Sequence, residues 1–327
     1  MEKLASDWNA AEANLRHEEF AEYLQSVLSL VVNQPQGRGL RDLIKEALGD
    51  QLKARNFRIL LSAVLKHSAK LDEGTLEFGD DSEKIHRIVV CLRHSPITEW
   101  RSAALTWFAL NPSPYNTLQF LAALDALCLG LCILGKNKTQ KLRRIKSVAA
   151  ETIAKRDRIL LEAGSLRFTQ AEQNQILATL MKPIGAKKQF LKPLLLRLNA
   201  HMLDAEIPIY FPDVTIEHVL PQKPSASGPW PGKYPNTARR KVCTELLGNY
   251  AILTHRINSR AKNLDFQDKR LVMFATTGSQ AFPITTELTI YETWEEHELL
   301  ERHRKLVALT CEVLLLAPAL ALHEAAE

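Results

Sequence analysis

Apolar residues return every three or four positions through most of the first two hundred residues. Phe20, Tyr23, Leu24, Val27, Leu28 and Val31 follow an i, i+3, i+4, i+7 spacing, and Leu40, Leu43, Ile44, Ala47 and Leu48 repeat it. Such spacing lays one apolar stripe along an α-helix. The same pattern predicts helices over 50–66, 82–92, 97–109, 117–134 and 139–161, a break at Asn111-Pro112-Ser113-Pro114, and helices over 169–180 and 187–203. No fixed-period repeat is visible, so a solenoid is not expected.

Near Glu206 the pattern changes. Ile207 to Pro212 loses the helical period, and 214–219 is short and β-branched. Pro221 to Asn236 holds five prolines and two glycines, the composition of a loop. Residues 249–253 read as a second strand. Thr254 can cap a helix carrying Ile257 and Asn258, Asp265 can cap another running to Phe274, and Thr293-Trp294-Glu295-Glu296 predicts a capping box for a long last helix. The expected architecture is mainly α: a helical region over 1–204, then a small unit over 205–327 with the order strand, loop, strand, helix.

A chain of 327 residues with 46% apolar residues can bury a sizeable core. Its net charge of +5 is mild, but the distribution is uneven. Between Glu217 and Arg270 lie ten Lys and Arg against four Asp and Glu, so that segment is +6 and the remainder −1. Positive charge there suits a phosphate-bearing partner. Lys136, Lys138, Lys141, Arg143, Arg144 and Lys146 form a second cluster at one predicted helix start. The five scattered cysteines lack metal-site spacing and read as buried free thiols, as in a reducing cytoplasm. The N-terminus shows no apolar signal segment. Leu118 to Leu134 falls short of the roughly 20 residues a membrane span needs and contains Asp125, so a buried helix and no membrane are expected.

The chemistry gathers in Glu217-His218-Val219-Leu220-Pro221-Gln222, then Leu247-Gly248-Asn249, then Asn258. Phosphodiester hydrolysis needs an activated water, a Lewis acid and relief of charge on the leaving oxygen. A histidine is neutral near pH 7 and can serve as the base. A carboxylate suits a hard ion such as Mg²⁺. Neighbours on a regular strand point to opposite faces, so Glu217 and His218 reach one phosphate only where the strand distorts or ends. Asn249 can accept a hydrogen bond from the histidine or brace its loop. Arg239, Arg240, Lys241, Arg256, Arg260, Lys262 and Lys269 are candidate phosphate contacts, with a solvated surface as the ordinary alternative. His255 reads as a surface residue.

These motifs resemble the HNH (His-Me finger) nucleases, and more closely the C-terminal domain of GmrSD-type restriction endonucleases. The likeness rests on Glu217–Gln222, Leu247–Thr254, Asn258 and Phe266-Gln267-Asp268-Lys269, with Leu191–Arg197 before them. It implies a ββα-metal nuclease domain that cuts or nicks double-stranded DNA with Mg²⁺ or Mn²⁺ as the effector of phage restriction. In that reading His218 is the base, Glu217 and Asn258 hold the metal, and Asn249 orients the base. The family's nucleotide-hydrolysing domain carries an Asp-Gly-Gln-Gln-Arg-type motif that does not occur here. An NTPase and modification sensor is therefore expected in a preceding domain or partner subunit. The alternative is a catalytically weak DNA-binding subunit that docks such an NTPase.

Overall fold

The computed structural model describes residues 38–73, 76–110, 112–185, 188–203, 214–261, 263–274 and 282–317, with isolated positions among the first 32. The segment Ile207–Pro212, where the composition changes, lies outside the described residues. So do Phe20 and Tyr23, whereas Leu24, Val27 and Leu28 of the same predicted helix are helical and buried. The chain forms two compact units, Met1–Cys128 with Lys136–Arg167, and Leu129–Gly135 with Phe168–Glu327. The expected boundary at 204/205 thus falls inside the second unit.

The first unit is helical among its described residues. It comprises α1 (Leu40–Gly49), α2 (Gln51–Glu73), α3 (Ser82–Arg93), α4 (Trp100–Phe108), the first part of α5 (Pro114–Ile133) and α6 (Lys138–Lys155). Pro114 starts α5 where its missing N–H does no harm. Trp107 of α4 stacks on Phe120 of α5 at 4.4 Å, and the indole donates to Thr117 Oγ1 at 3.3 Å. Asn137 and Gln140 cap α6 reciprocally, each bond 3.0 Å. That helix ends at Lys155, earlier than predicted, because Arg156 turns to φ 52 and a 3₁₀ turn follows. α5 is long and apolar enough to cross a membrane, but 78% of its apolar window is buried within the protein. All five cysteines are buried and outside any disulfide.

The second unit contains α7 (Gln170–Leu180), α8 (Leu191–Met202), β1 (Val214–His218), α9 (Trp230–Lys233), α10 (Thr237–Thr244), β2 (Tyr250–Thr254), α11 (His255–Ala261), α12 (Phe266–Phe274), α13 (Pro283–Thr286) and α14 (Glu296–Val313). β1 and β2 pair antiparallel, with Val214 opposite Thr254 and His218 opposite Tyr250. α11 follows β2 directly. The strand, strand, helix order is present, although the span expected to be a plain loop contains α9 and leads into α10. Trp230 explains α9: the indole is buried and donates to Leu264 O at 3.0 Å. Asn236 caps α10 by accepting from Arg239 N at 3.0 Å.

Asp265 caps α12 as expected, accepting from Asp268 N at 2.8 Å. The box on α14 is displaced by two residues, with Glu295 at the cap and Glu298 bonding back to its N–H at 3.0 Å. The core around the strands joins Leu220, Trp230, Leu253, Phe266, Trp294 and Leu299. Burying a side chain of this size is worth roughly 1.5–3 kcal/mol. α8 is tied to α13 in the same unit: its buried Asn199 accepts from Ile284 N at 3.3 Å.

Candidate functional site

Two faces of β1 carry two different groups of side chains. Thr215 and Glu217 share one face, as residues two apart on a strand must. Thr215 Oγ1 accepts from Asn258 Nδ2 of α11 at 2.8 Å. Glu217 meets Lys269 of α12 in a buried ion pair, and the same ammonium donates to His218 O at 2.6 Å. Glu217 is 8% exposed and Lys269 not at all. Burial pushes the Glu217 carboxyl up and the Lys269 ammonium down, while their mutual attraction opposes both shifts.

This corrects the sequence expectation for Lys269. It is an interior counter-ion and not a surface contact for phosphate. Of the other candidate DNA contacts, Arg239, Lys241, Arg256 and Arg260 are exposed and Arg240 is half-buried. Arg239 is also paired to Glu296 at 2.6 Å. Lys262 lies outside the described residues. His255 is exposed, as expected.

His218 occupies the opposite face at the last position of β1. Its ring meets the edge of Tyr250 at 5.0 Å between centroids. Its Nε2 lies 3.7 Å from Glu245 Oε1, too far for a hydrogen bond, and is sealed from solvent with no such bond among the described residues. Burial pushes the imidazole below its ordinary value, with Glu245 opposing, so the ring is neutral near pH 7. The strand stays regular through the His218–Tyr250 pair. The side chains of Glu217 and Asn258 therefore gather on one face and that of His218 on the other, at the position where β1 ends.

Asn249 sits in the 3₁₀ turn Leu247–Asn249, one residue before β2 rather than in it. Its Oδ1 accepts from Leu220 N at 2.7 Å and Trp294 Nε1 at 3.3 Å. Its Nδ2 donates to Leu220 O and Thr244 O, both at 2.9 Å. An asparagine side chain offers two acceptor and two donor positions, and all four are taken. No capacity remains for the imidazole. Of the two roles open to it from sequence, Asn249 has the geometry of the loop brace.

The turn itself is closed by α14. Arg302 is fully buried and donates to Gly248 O at 2.5 Å, Tyr250 O at 2.8 Å, Ile284 O at 2.6 Å and Glu287 Oε1 at 2.9 Å. Gly248 N faces His303 Nδ1 at 3.4 Å. A Cβ on Gly248 would lie 2.6 Å from both His303 N and Leu299 O, so only glycine lets helix and turn approach this closely. Arg302, His303, Trp294, Glu245 and Tyr250 were missed in the sequence. Each acts across a long separation that no local pattern marks.

A hard divalent ion takes carboxylate and amide oxygens and keeps waters. Glu217 and Asn258 supply that donor chemistry on one face. The Asn258 amide oxygen accepts no hydrogen bond among the described residues. The same residues hold no cluster of three or more His, Cys, Asp or Glu, so a protein-only cage is absent from them. The donors fit Mg²⁺ in kind, with the added condition that Glu217 is shared with Lys269.

No curated protein matches the chain. The family model of the GmrSD restriction endonucleases, C-terminal domain, matches residues 171–309, a stretch running from α7 into α14 that holds every candidate site residue. Over residues 171–309 the chain is therefore similar to the C-terminal domain of the GmrSD restriction endonucleases, a similarity that points to a restriction-endonuclease-related function.

Proposed function

We propose that this domain is a metal-dependent DNA endonuclease or nickase of the ββα-metal (HNH, His-Me finger) type. The observation that carries the reading is the position of His218, neutral and at the end of β1, in a strand–strand–helix unit whose other face presents Glu217 and Asn258. Glu217 and Asn258 would hold Mg²⁺ or Mn²⁺, which supplies Lewis acidity at the phosphate. His218 takes the proton of the attacking water. Asn249 keeps the 218–221 loop in place so that the ring stays at the strand end. Arg239, Arg240, Lys241, Arg256 and Arg260 are the cations offered to the DNA backbone.

The chain acts in this reading as a cytoplasmic effector of phage restriction, and nucleotide hydrolysis with recognition of modified DNA belongs to a separate domain or subunit. The test is nicking of supercoiled plasmid with Mg²⁺ and with EDTA, comparing wild type with His218→Ala. A base is worth roughly 10²–10⁴-fold, so loss of that order is expected in a folded variant that still binds DNA. An undiminished rate in His218→Ala sinks the assignment. The pairing of Glu217 with Lys269 favours a second reading, a DNA-binding subunit with weak catalysis, which predicts binding without metal-dependent nicking.

A further inference from the structure

Glu245 stands at the end of α10, directly against the imidazole of His218. Its carboxylate is held from two sides. Tyr250, the cross-strand partner of His218, donates its hydroxyl to Oε2 at 2.8 Å. Gln222 donates its amide to Oε1 at 2.7 Å, which gives the glutamine of the Pro221-Gln222 pair a physical task. The backbone beneath is fixed too, because Glu245 O accepts from Ile184 N at 2.7 Å. The oxygen that Gln222 holds is the one 3.7 Å from His218 Nε2.

The arrangement selects one ring nitrogen over the other. Nε2 is enclosed, has no hydrogen bond among the described residues, and has the carboxylate beside it at 3.7 Å. A carboxylate beside one ring nitrogen draws the proton there and fixes both tautomer and ring orientation. We propose that Glu245 is the positioning residue for His218, keeping the proton on Nε2 and leaving Nδ1 as the nitrogen that receives the proton of the attacking water. This rests on the nuclease reading above. In the step, the water O–H bond breaks and its proton goes to Nδ1. The oxygen bonds to phosphorus, and the bond to the leaving sugar oxygen breaks with the electron pair departing on that oxygen. The imidazolium so formed turns its Nε2–H to Glu245, where the small remaining gap closes.

The experiment pairs nitrogen NMR of the histidine rings with cleavage kinetics. In the metal-free wild type, the neutral His218 ring is expected with its proton on Nε2, and Glu245→Gln should redistribute it. Glu245→Gln should lower kcat about 10- to 100-fold, the usual cost of removing such a support, with KM for DNA and the thermal midpoint little changed. Tyr250→Phe, which frees one side of the carboxylate, should show a smaller fall of the same kind. A proton on Nδ1 in the wild type overturns the proposal, as does full kcat in Glu245→Gln. If the wild type cuts no DNA with any divalent ion, the nuclease reading fails and the catalytic role of Glu245 falls with it. The tautomer then still judges the Glu245–His218 pairing on its own.

Discussion

Replacing Lys269 by methionine is the sharpest test of how the face bearing Glu217 is built. The substitution keeps length and apolar bulk but removes the ammonium, which is wholly enclosed and serves two acceptors, the Glu217 carboxylate and His218 O. Glu217, at 8% exposure, then has neither a countercharge nor enough water. Breaking a buried pair from one side costs about 3–5 kcal/mol, because the remaining charge is uncompensated. The His218 carbonyl also loses a donor, worth about 1 kcal/mol or more. Against a total stability of roughly 5–15 kcal/mol this is a large fraction. Denaturant unfolding followed by circular dichroism at pH 7.5 measures it. The double variant Glu217→Gln/Lys269→Met should recover part of the loss, with a coupling of about 2 kcal/mol in the four-member cycle. A loss under about 1 kcal/mol for Lys269→Met, or strictly additive single effects, refutes the interior ion pair.

Gly248→Ala should destabilise by about 1–3 kcal/mol, toward the upper end because the colliding atoms are backbone; a neutral melt would mean that α14 and the turn are not packed this closely. His303, buried, is pushed down to about 4 from 6.5. Its folded value lies below its unfolded one, so the stability it contributes is complete above pH 6.5 and is lost as pH falls toward 4. Between pH 7.5 and 5 the wild type should lose about 2 kcal/mol more than His303→Gln, and equal losses would refute the burial. Under the proposed reading, Asn258→Ala should be partly rescued by added Mg²⁺ or Mn²⁺ and Asn249→Ala should not, since the first would supply an oxygen to the ion and the second braces a loop; the reverse pattern in a metal titration of nicking rates would exchange their roles. With Lys269 interior, the described candidate contacts left for DNA are Arg239, Arg240, Lys241, Arg256 and Arg260, which predicts log K falling with log salt at a slope of about −4.5. A flat titration on random duplex would remove DNA as the ligand.

The periodic parts of this fold were open to reading from sequence. Leu40, Leu43, Ile44 and Ala47 place α1, and the β-branched run at 214–218 places β1. α10 was not visible, because Thr-Ala-Arg-Arg-Lys-Val-Cys-Thr carries no apolar stripe. Its helix is set by the Asn236 cap and by burial of Cys243 at one end. The order of acid, histidine and two asparagines was legible as a motif, but the partners that define each role were not. Lys269 reads as a helix-surface cation until Glu217, 52 residues earlier, is seen beside it. Glu245 lies in an ordinary run before Leu246 and Leu247, and only the pairing of the strands brings it to His218.

The closure of the Leu247–Asn249 turn by Trp294, Arg302 and His303 also fixes when the site can exist. A ribosome makes the chain from its N-terminus, so Glu217, His218 and both asparagines are joined well before α14. Until Arg302 is added, the carbonyls of Gly248 and Tyr250 lack its guanidinium, and until Trp294 is added, Asn249 Oδ1 lacks the indole. An interrupted product therefore carries the complete motif but not the support that holds its loop. Under the proposed nuclease reading, completion of synthesis becomes a condition for an ordered site.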